Sequence, residues 1–276
     1  MLESIILGII QGVAEWLPVS SEGLIVLVKT NFFNQGEGVK DLISLALFLH
    51  FGTFLAALVY FRKDVLNLLK VLFAYKNSTG EASSNSINKK EEDKKVLFFL
   101  IITTLISGAL GIVFLNYLDE LNFDEIENAS KIITAGIGAL LLITAFLQFK
   151  SKKGGQRKSA GLKNSDSIIL GIVQAFAALP GLSRSGLTVS ALLLRRFNDE
   201  TALKLSFLMS MPLILGGNII LNLDKFALSV EALAGLVLAF VFGIITIDLF
   251  LKLARIINFA WFVLIFGILM ISAALI

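Results

Sequence analysis

Apolar residues in this chain come in long blocks rather than in alternation. Six blocks, at 41–61, 96–117, 132–149, 201–221, 231–250 and 259–276, carry few polar interruptions. A helix needs roughly 20 apolar residues to cross a hydrocarbon core of ~30 Å, so each block predicts a membrane-spanning helix. Two further stretches, 4–28 and 167–194, are apolar at both ends and broken near the middle by Pro, Gly and Ser. Each half, about 13 residues, would reach only ~20 Å as a helix. These stretches predict re-entrant helical hairpins, whose broken backbone is tolerated at membrane depth only where protein or a water-filled cavity surrounds it.

The remainder is connection. Residues 77–95 are polar and low in complexity, and predict a mobile segment. Residues 64–75 predict a short amphipathic helix lying at the interface. Residues 150–166 form a basic linker with five Lys and one Arg. On either side of it the chain repeats itself. Ser4 to Gln11 reads SIILGIIQ, and Ser167 to Gln174 reads SIILGIVQ. The same offset of 163 relates Ser20 to Ser183, Gly23 to Gly186, Leu24 to Leu187 and Val26 to Val189. The pattern reads as an internal duplication within a single membrane domain, 1–276, with repeat 1 at 1–149 and repeat 2 at 167–276. Each repeat holds one hairpin and three spans. Three is odd, so the second repeat starts on the opposite face and the two are inverted.

Composition agrees with the pattern: 56% of the chain is hydrophobic and 16% charged, against about a quarter charged in soluble domains. The predicted fold class is an all-α integral membrane protein, with six transmembrane helices and two re-entrant hairpins. With no cysteine, disulfide and thiol chemistry are excluded. The N-terminus lacks a basic region ahead of a small-residue cleavage site, so the first segment is expected to be retained. Charge sets the orientation. Loops on one face hold 19 of the 24 Lys and Arg, loops on the other hold 4, and Arg184 lies inside the second hairpin. The basic face is expected to be cytoplasmic in a cell membrane, with both termini outside. Hairpin 1 would then enter from outside and hairpin 2 from the cytoplasm, their tips meeting near the midplane. The Lys clusters read as topology determinants facing membrane lipids, with no nucleic-acid partner implied. The sequence says nothing about oligomeric state.

The tips carry the candidate chemistry. Hairpin 1 reads QGVAEWLPVSSEGL from Gln11, and hairpin 2 reads LPGLSRSGLT from Leu179. Glu15 and Arg184 are ionisable groups at membrane depth, each costing ~2.5–3.5 kcal/mol on insertion scales, and such residues are functional by default. Gln11 lies four residues before Glu15 and shares its helix face. Ser20, Ser21, Ser183, Ser185 and Thr188 add hydroxyls, although each also suits a helix start. Gly181 and Gly186 let backbone N–H groups approach a ligand. One fixed cation, several hydroxyl donors and a carboxylate beside lipid suit a lipid-borne phosphate. Glu15 and Glu22, with phosphate oxygens, present the hard donors that Mg²⁺ or Ca²⁺ prefer. His50, the only His, is expected outside both tips as a satisfied structural residue.

The two tip motifs resemble those of the undecaprenyl-diphosphate phosphatases of the bacitracin-resistance type. Pro180 to Thr188 match that family's PGxSRSGxT. Gln11, Glu15, Leu17, Pro18, Ser20, Ser21 and Gly23 match its first motif, and His50 to Ala56 resemble its HxGTLxA stretch. The resemblance runs the length of the chain. It implies removal of the terminal phosphate from a C55-type polyprenyl diphosphate at an outward-facing site, yielding the monophosphate carrier used in cell-envelope glycan assembly. It further implies Glu15 as the essential acid, Ser21 as the motif serine, Arg184 as the phosphate-binding arginine, and a divalent cation.

One position departs. The family's first motif ends in His, and here that residue is Leu24. A Leu neither attacks phosphorus nor carries a proton. Three readings follow. Chemistry runs through Ser21 with Glu15 as base; or Glu22 or His50 compensates; or the protein binds or flips polyprenyl phosphates without hydrolysing them.

Overall fold

The computed structural model of the chain describes residues 1–17, 20–33, 39–74, 84–120, 129–150, 155–178, 182–222, 229–256 and 260–275. The described residues are predominantly helical. Among the described residues there is no strand, only an isolated backbone pairing of Arg157 with Phe197.

The first broken stretch forms α1 (Leu2–Ala14) and α2 (Ser21–Phe32), and the second forms α7 (Asn164–Ala175) and α8 (Arg184–Leu194). Between them lie α3 (Val39–Tyr60), α4 (Arg62–Ala74), α5 (Ser84–Glu120) and α6 (Ala129–Lys150). After α8 come α9 (Asp199–Asn222), α10 (Val230–Ile256) and α11 (Ala260–Leu275). A helix thus covers the body of each of the six predicted apolar blocks. By length and apolarity, three stretches among the described residues suffice to cross a membrane: Lys89–Phe114, Asp199–Ile220 and Val230–Leu249. A fourth is added if α3 and α4 count as one span, broken by a bend of 83°. The apolar stretches of α6 and α11 are shorter, as are α1 and α8. This is the architecture of a multi-pass membrane protein.

Helix α4 falls where the short amphipathic helix was predicted. It buries Leu68 and exposes Leu66, Leu69, Leu72 and Phe73. The polar segment 77–95 differs from expectation in its second half. Residues from Ser84 onward are the opening turns of α5. NKKEEDKK lacks an apolar stripe, but its residues are good helix formers, and Lys94 pairs with Glu91 one turn away at 2.6 Å.

Close packing pairs α6 with α11, α1 with α10, α5 with α7, and α3 with both α9 and α10. Small residues permit the α1–α10 contact. A Cβ added at Gly8 would stand 2.3 Å from the Gly235 carbonyl oxygen, so the two backbones approach as only glycines allow. Gly171, 163 residues after Gly8, faces Ile106 and Thr103 of α5 in the same way. The main core gathers Trp16, Phe99, Leu192, Phe197, Leu205, Phe207, Met209 and Ile247. Trp16 fixes the end of α1 within it, donating its indole N–H to the Gly243 carbonyl at 3.0 Å and meeting Phe207 edge to face.

The end of the linker is pinned. Asp166, fully buried in the first turn of α7, accepts from Arg157 (Nη2, 2.7 Å) and from Arg195. It also accepts from the Lys163 N–H at 2.8 Å. The Arg157 guanidinium lies over the Phe197 ring at 4.2 Å. Burial by itself pushes the Asp166 carboxyl up, but the hydrogen bonds from Arg157 and Arg195 outweigh it and hold the group below the usual carboxylate range. A carboxyl depressed in the fold stabilises above its unfolded pKa of ~3.9, and the contribution is lost as pH falls through the folded value. Asp166→Asn is therefore expected to lower the thermal transition at pH 7. The gap to wild type should narrow below about pH 4, as read by thermal unfolding in detergent.

Candidate active site

Both tips use the same local device. After the break, Ser20 caps α2 by accepting from the Gly23 N–H at 3.0 Å. Ser183 caps α8 by accepting from the Gly186 N–H, also at 3.0 Å. A serine three residues before a glycine satisfies an orphan helix-start donor and leaves the next residue facing the break. In the first tip that residue is Ser21, and in the second it is Arg184.

The two tips meet across an ion pair. Arg184 Nη2 donates to Glu15 Oε1, with the guanidinium and carboxylate side chains only 15% and 4% exposed. Arg184 Nη1 donates to the Ser206 carbonyl at 3.4 Å, and its guanidinium lies 5.8 Å from the Phe207 ring centre. The second Glu15 oxygen is shared. Oε2 accepts from Gln11 Nε2 at 2.9 Å and from Ser21 Oγ at 3.1 Å, and lies 3.1 Å from His50 Nε2. Gln11 also donates to Thr53 Oγ1 at 3.3 Å.

His50 is thus not outside the tips. Helix α3 carries it to the centre, where Nε2 is 3.4 Å from Ser21 Oγ. Sequence reasoning left it on a neighbouring span because α3 is separated from hairpin 1 by no recognisable spacing rule. The available signal was a lone ionisable residue in an apolar run. Thr53, one turn on, was missed for the same reason.

The remaining candidates divide. Glu15, Ser20, Ser21, Glu22, His50, Leu182, Arg184 and Ser185 enclose a polar pocket of about 20 Å³. Ser185 also ties the tips together, its hydroxyl donating to the Leu17 carbonyl at 2.9 Å. Gln11, Ser183 and Thr188 stand behind the pocket wall. Thr188 spends its hydroxyl on the Arg184 carbonyl (2.8 Å) and on Ser206 Oγ (2.7 Å). Gly186 is packed against Gln148 and Thr144. Gly181 lies outside the described residues, as do Pro18 and Pro180. Leu24 does not face the pocket. It packs on the apolar cluster of Ala14, Leu141, Ala145 and Val263.

Beside the polar pocket opens an apolar cleft of about 270 Å³ between α3, α5, α7 and α9. Glu22, His50 and Arg184 stand at its polar end, and Ile112, Leu213, Ile214 and Ile220 line its length.

The donor set for a resident divalent cation is incomplete. Both oxygens of Glu15 are taken up by Arg184, Gln11, Ser21 and His50. Among the described residues, no group of three or more His, Cys, Asp or Glu is disposed to hold an ion. Mg²⁺ keeps several waters and binds through one or two carboxylates plus substrate phosphates, so Glu22, which lines the pocket, could hold an ion only together with a bound diphosphate.

The family described as "Bacitracin resistance protein BacA" matches residues 4–271. A protein of Methanococcoides burtonii named undecaprenyl-diphosphatase is 42% identical over 269 residues, covering 97% of this chain and 96% of that one. Proteins of the same name from Haloarcula marismortui and Korarchaeum cryptofilum are 36% and 34% identical. They cover 97% and 98% of this chain, and 94% and 98% of their own lengths. With the family matched from the first helix to the last, the chain belongs to the bacitracin resistance protein BacA family.

Proposed function

We propose that the protein hydrolyses undecaprenyl diphosphate to the monophosphate carrier lipid and inorganic phosphate, at a site open to the outer face. The observation that carries the reading is the meeting of Glu15 and Arg184 from two separate tips at the polar end of an apolar cleft. A buried guanidinium next to hydroxyls suits a phosphate, and a cleft walled by Ile and Leu suits a prenyl chain. The names of the relatives point the same way.

The polar pocket has room for about one water, so a phosphate enters only as the ion pair opens. Arg184 turns from Glu15 to the diphosphate and stabilises the charge that builds on the terminal phosphoryl group. Ser21 is the nucleophile, oriented by its hydrogen bond to Glu15. A divalent cation, where the reaction takes one, would be carried by the diphosphate rather than by a protein cage. Purified protein in detergent, given a polyprenyl diphosphate with Mg²⁺ or Ca²⁺, is expected to release phosphate. Silence with either ion, beside an active relative, would end the phosphatase reading. A second reading, a carrier that flips polyprenyl monophosphate, is favoured by the meeting of two broken-helix tips at one ion pair, an arrangement in which carriers hold their substrate. In proteoliposomes, counterflow of a labelled short-chain polyprenyl phosphate without hydrolysis would select it.

The proposal includes six spans and inverted repeats. The packing pattern supports a two-fold repeat: exchanging the halves turns the α1–α10 pair into α7–α5, and the α6–α11 and α3–α9 pairs into themselves. Orientation is tested by single cysteines in this cysteine-free chain. Ser229→Cys should react with an impermeant maleimide from outside, and Lys158→Cys only after the membrane is opened. Labelling of both from one face would overturn the inversion.

A further inference from the structure

We propose that His50 is the proton carrier of the reaction, delivered from α3 in place of the imidazole that Leu24 cannot provide. The inference rests on the phosphatase reading above. His50 is buried, and its ring nitrogens have different tasks. Nδ1 lies 2.6 Å from the Ala46 carbonyl oxygen. A carbonyl only accepts, so Nδ1 carries a hydrogen in either charge state. The ring is thereby held with Nε2 turned to the reaction centre, 3.4 Å from Ser21 Oγ and 3.1 Å from Glu15 Oε2. A carboxylate also only accepts, so at 3.1 Å from Glu15 the Nε2 position carries a hydrogen at rest; once the ring has given that hydrogen up, its lone pair can take the proton that Ser21 otherwise donates to Glu15. The backbone at His50 is tied to the site as well: Thr53 Oγ1 donates to the His50 carbonyl at 3.0 Å and accepts from Gln11.

The site also explains how a buried imidazole can charge. The ionisable groups facing it are Glu15 from the end of α1, Glu22 from α2 and Arg184 from α8. At rest, Arg184 and the His50 ring flank the two oxygens of Glu15, and the ring proton is lost before turnover begins. As Arg184 turns to the diphosphate, Glu15 loses its guanidinium just when His50 must accept a proton. The imidazolium then becomes the partner of Glu15 at the distance already present. Charge is passed between His50 and Arg184 and Glu15 is never left alone.

The steps balance. Ser21 gives its proton to Nε2 while Oγ bonds the terminal phosphorus. The bond from that phosphorus to the bridging oxygen breaks, and the lipid monophosphate leaves with the electron pair and the proton from Nε2. Water then attacks the phosphoserine and gives a proton to Nε2. Ser21 Oγ leaves with the electron pair, recovers that proton, and phosphate departs. One water is consumed and His50 returns neutral.

Leu24 supports the assignment from the other side. It packs among Ala14, Leu141 and Val263 rather than in the polar pocket, so a ring placed there has apolar neighbours.

The test compares wild type, His50→Gln and Leu24→His by phosphate release across pH. His50→Gln is expected to lower kcat by about 10²–10⁴-fold, the usual worth of general acid–base help, with KM within a few-fold. The decline of kcat toward low pH, where a wild-type imidazole is already protonated, should vanish. Leu24→His should not raise kcat, and Leu24→His/His50→Gln should stay as slow as His50→Gln. Each variant is accepted only with a wild-type elution profile. If His50→Gln fails this, His50→Asn takes its place. A His50 variant with wild-type kcat, or a slowed one that keeps the wild-type low-pH decline, would overturn the proposal while wild-type turnover upheld the phosphatase. So would a double variant restored to wild-type rate. A wild type releasing no phosphate would remove both.

Discussion

Arg184→Ala is expected to abolish phosphate release, lowering kcat/KM on the order of 10³–10⁵-fold, the range seen when an arginine that stabilises a transferring phosphoryl group is removed. No other cation is placed to substitute: among the described residues, Arg184 is the only Lys or Arg lining the polar pocket. Its geometry is fixed from both sides, by Glu15 and the Ser206 carbonyl at the fork and by the Phe207 ring along its face. Arg184→Lys should recover only part of the loss, because an ammonium keeps the charge but not the planar fork that grips two phosphate oxygens. Steady-state phosphate release by the three proteins checks both statements. A fully active Arg184→Ala would place the site elsewhere.

Glu15→Gln is expected to cost on the order of 10²–10⁴-fold in kcat and to destabilise the fold as well. The substitution keeps the shape that Gln11 and Ser21 pack against, and removes the charge that Arg184 and His50 both use. Breaking a buried ion pair from one side costs about 3–5 kcal/mol, because the other charge stays buried and uncompensated. Arg184→Ala leaves Glu15 stranded in the same sense, though His50 at 3.1 Å remains to it. The double variant Glu15→Gln/Arg184→Ala should therefore be less destabilised than the two single effects added together. Denaturation of all four proteins in one detergent measures that coupling. Additive losses would mean the pair does not operate as a unit.

Much of the helical plan could be read from the chain, because burial in lipid leaves an unmistakable mark: an apolar block near 20 residues has few other uses. The interruption of the apolar runs around Pro18 and Pro180, and the repeated octet, marked the two helix pairs α1–α2 and α7–α8. Charge was equally legible at the tips, since an arginine at membrane depth must have a partner, and Glu15 was the nearest candidate by motif. What the sequence hid was lateral. His50 reaches Ser21 only because α3 packs beside both hairpin 1 and α10, and packing between helices has no period to read. Residues 84–95 misled in the opposite way. Their polarity resembles that of a disordered tract, yet helix propensity and the Glu91–Lys94 pair make them part of α5. Thr188 and Ser183 have the right chemistry for a phosphate ligand, but their hydroxyls are consumed in capping and in holding Ser206.

The offset of 163 that equates the two serine caps also equates Ser21 with Arg184, and Glu15 with Ala178. On the proposed duplication and the proposed chemistry, the two halves would divide the labour: the first would supply the attacking hydroxyl and the acid, the second the phosphate anchor. Neither tip would then complete the site alone, and a repair that copied one tip onto the other would put Arg in place of Ser21 or Ser in place of Arg184, removing one of the two functions.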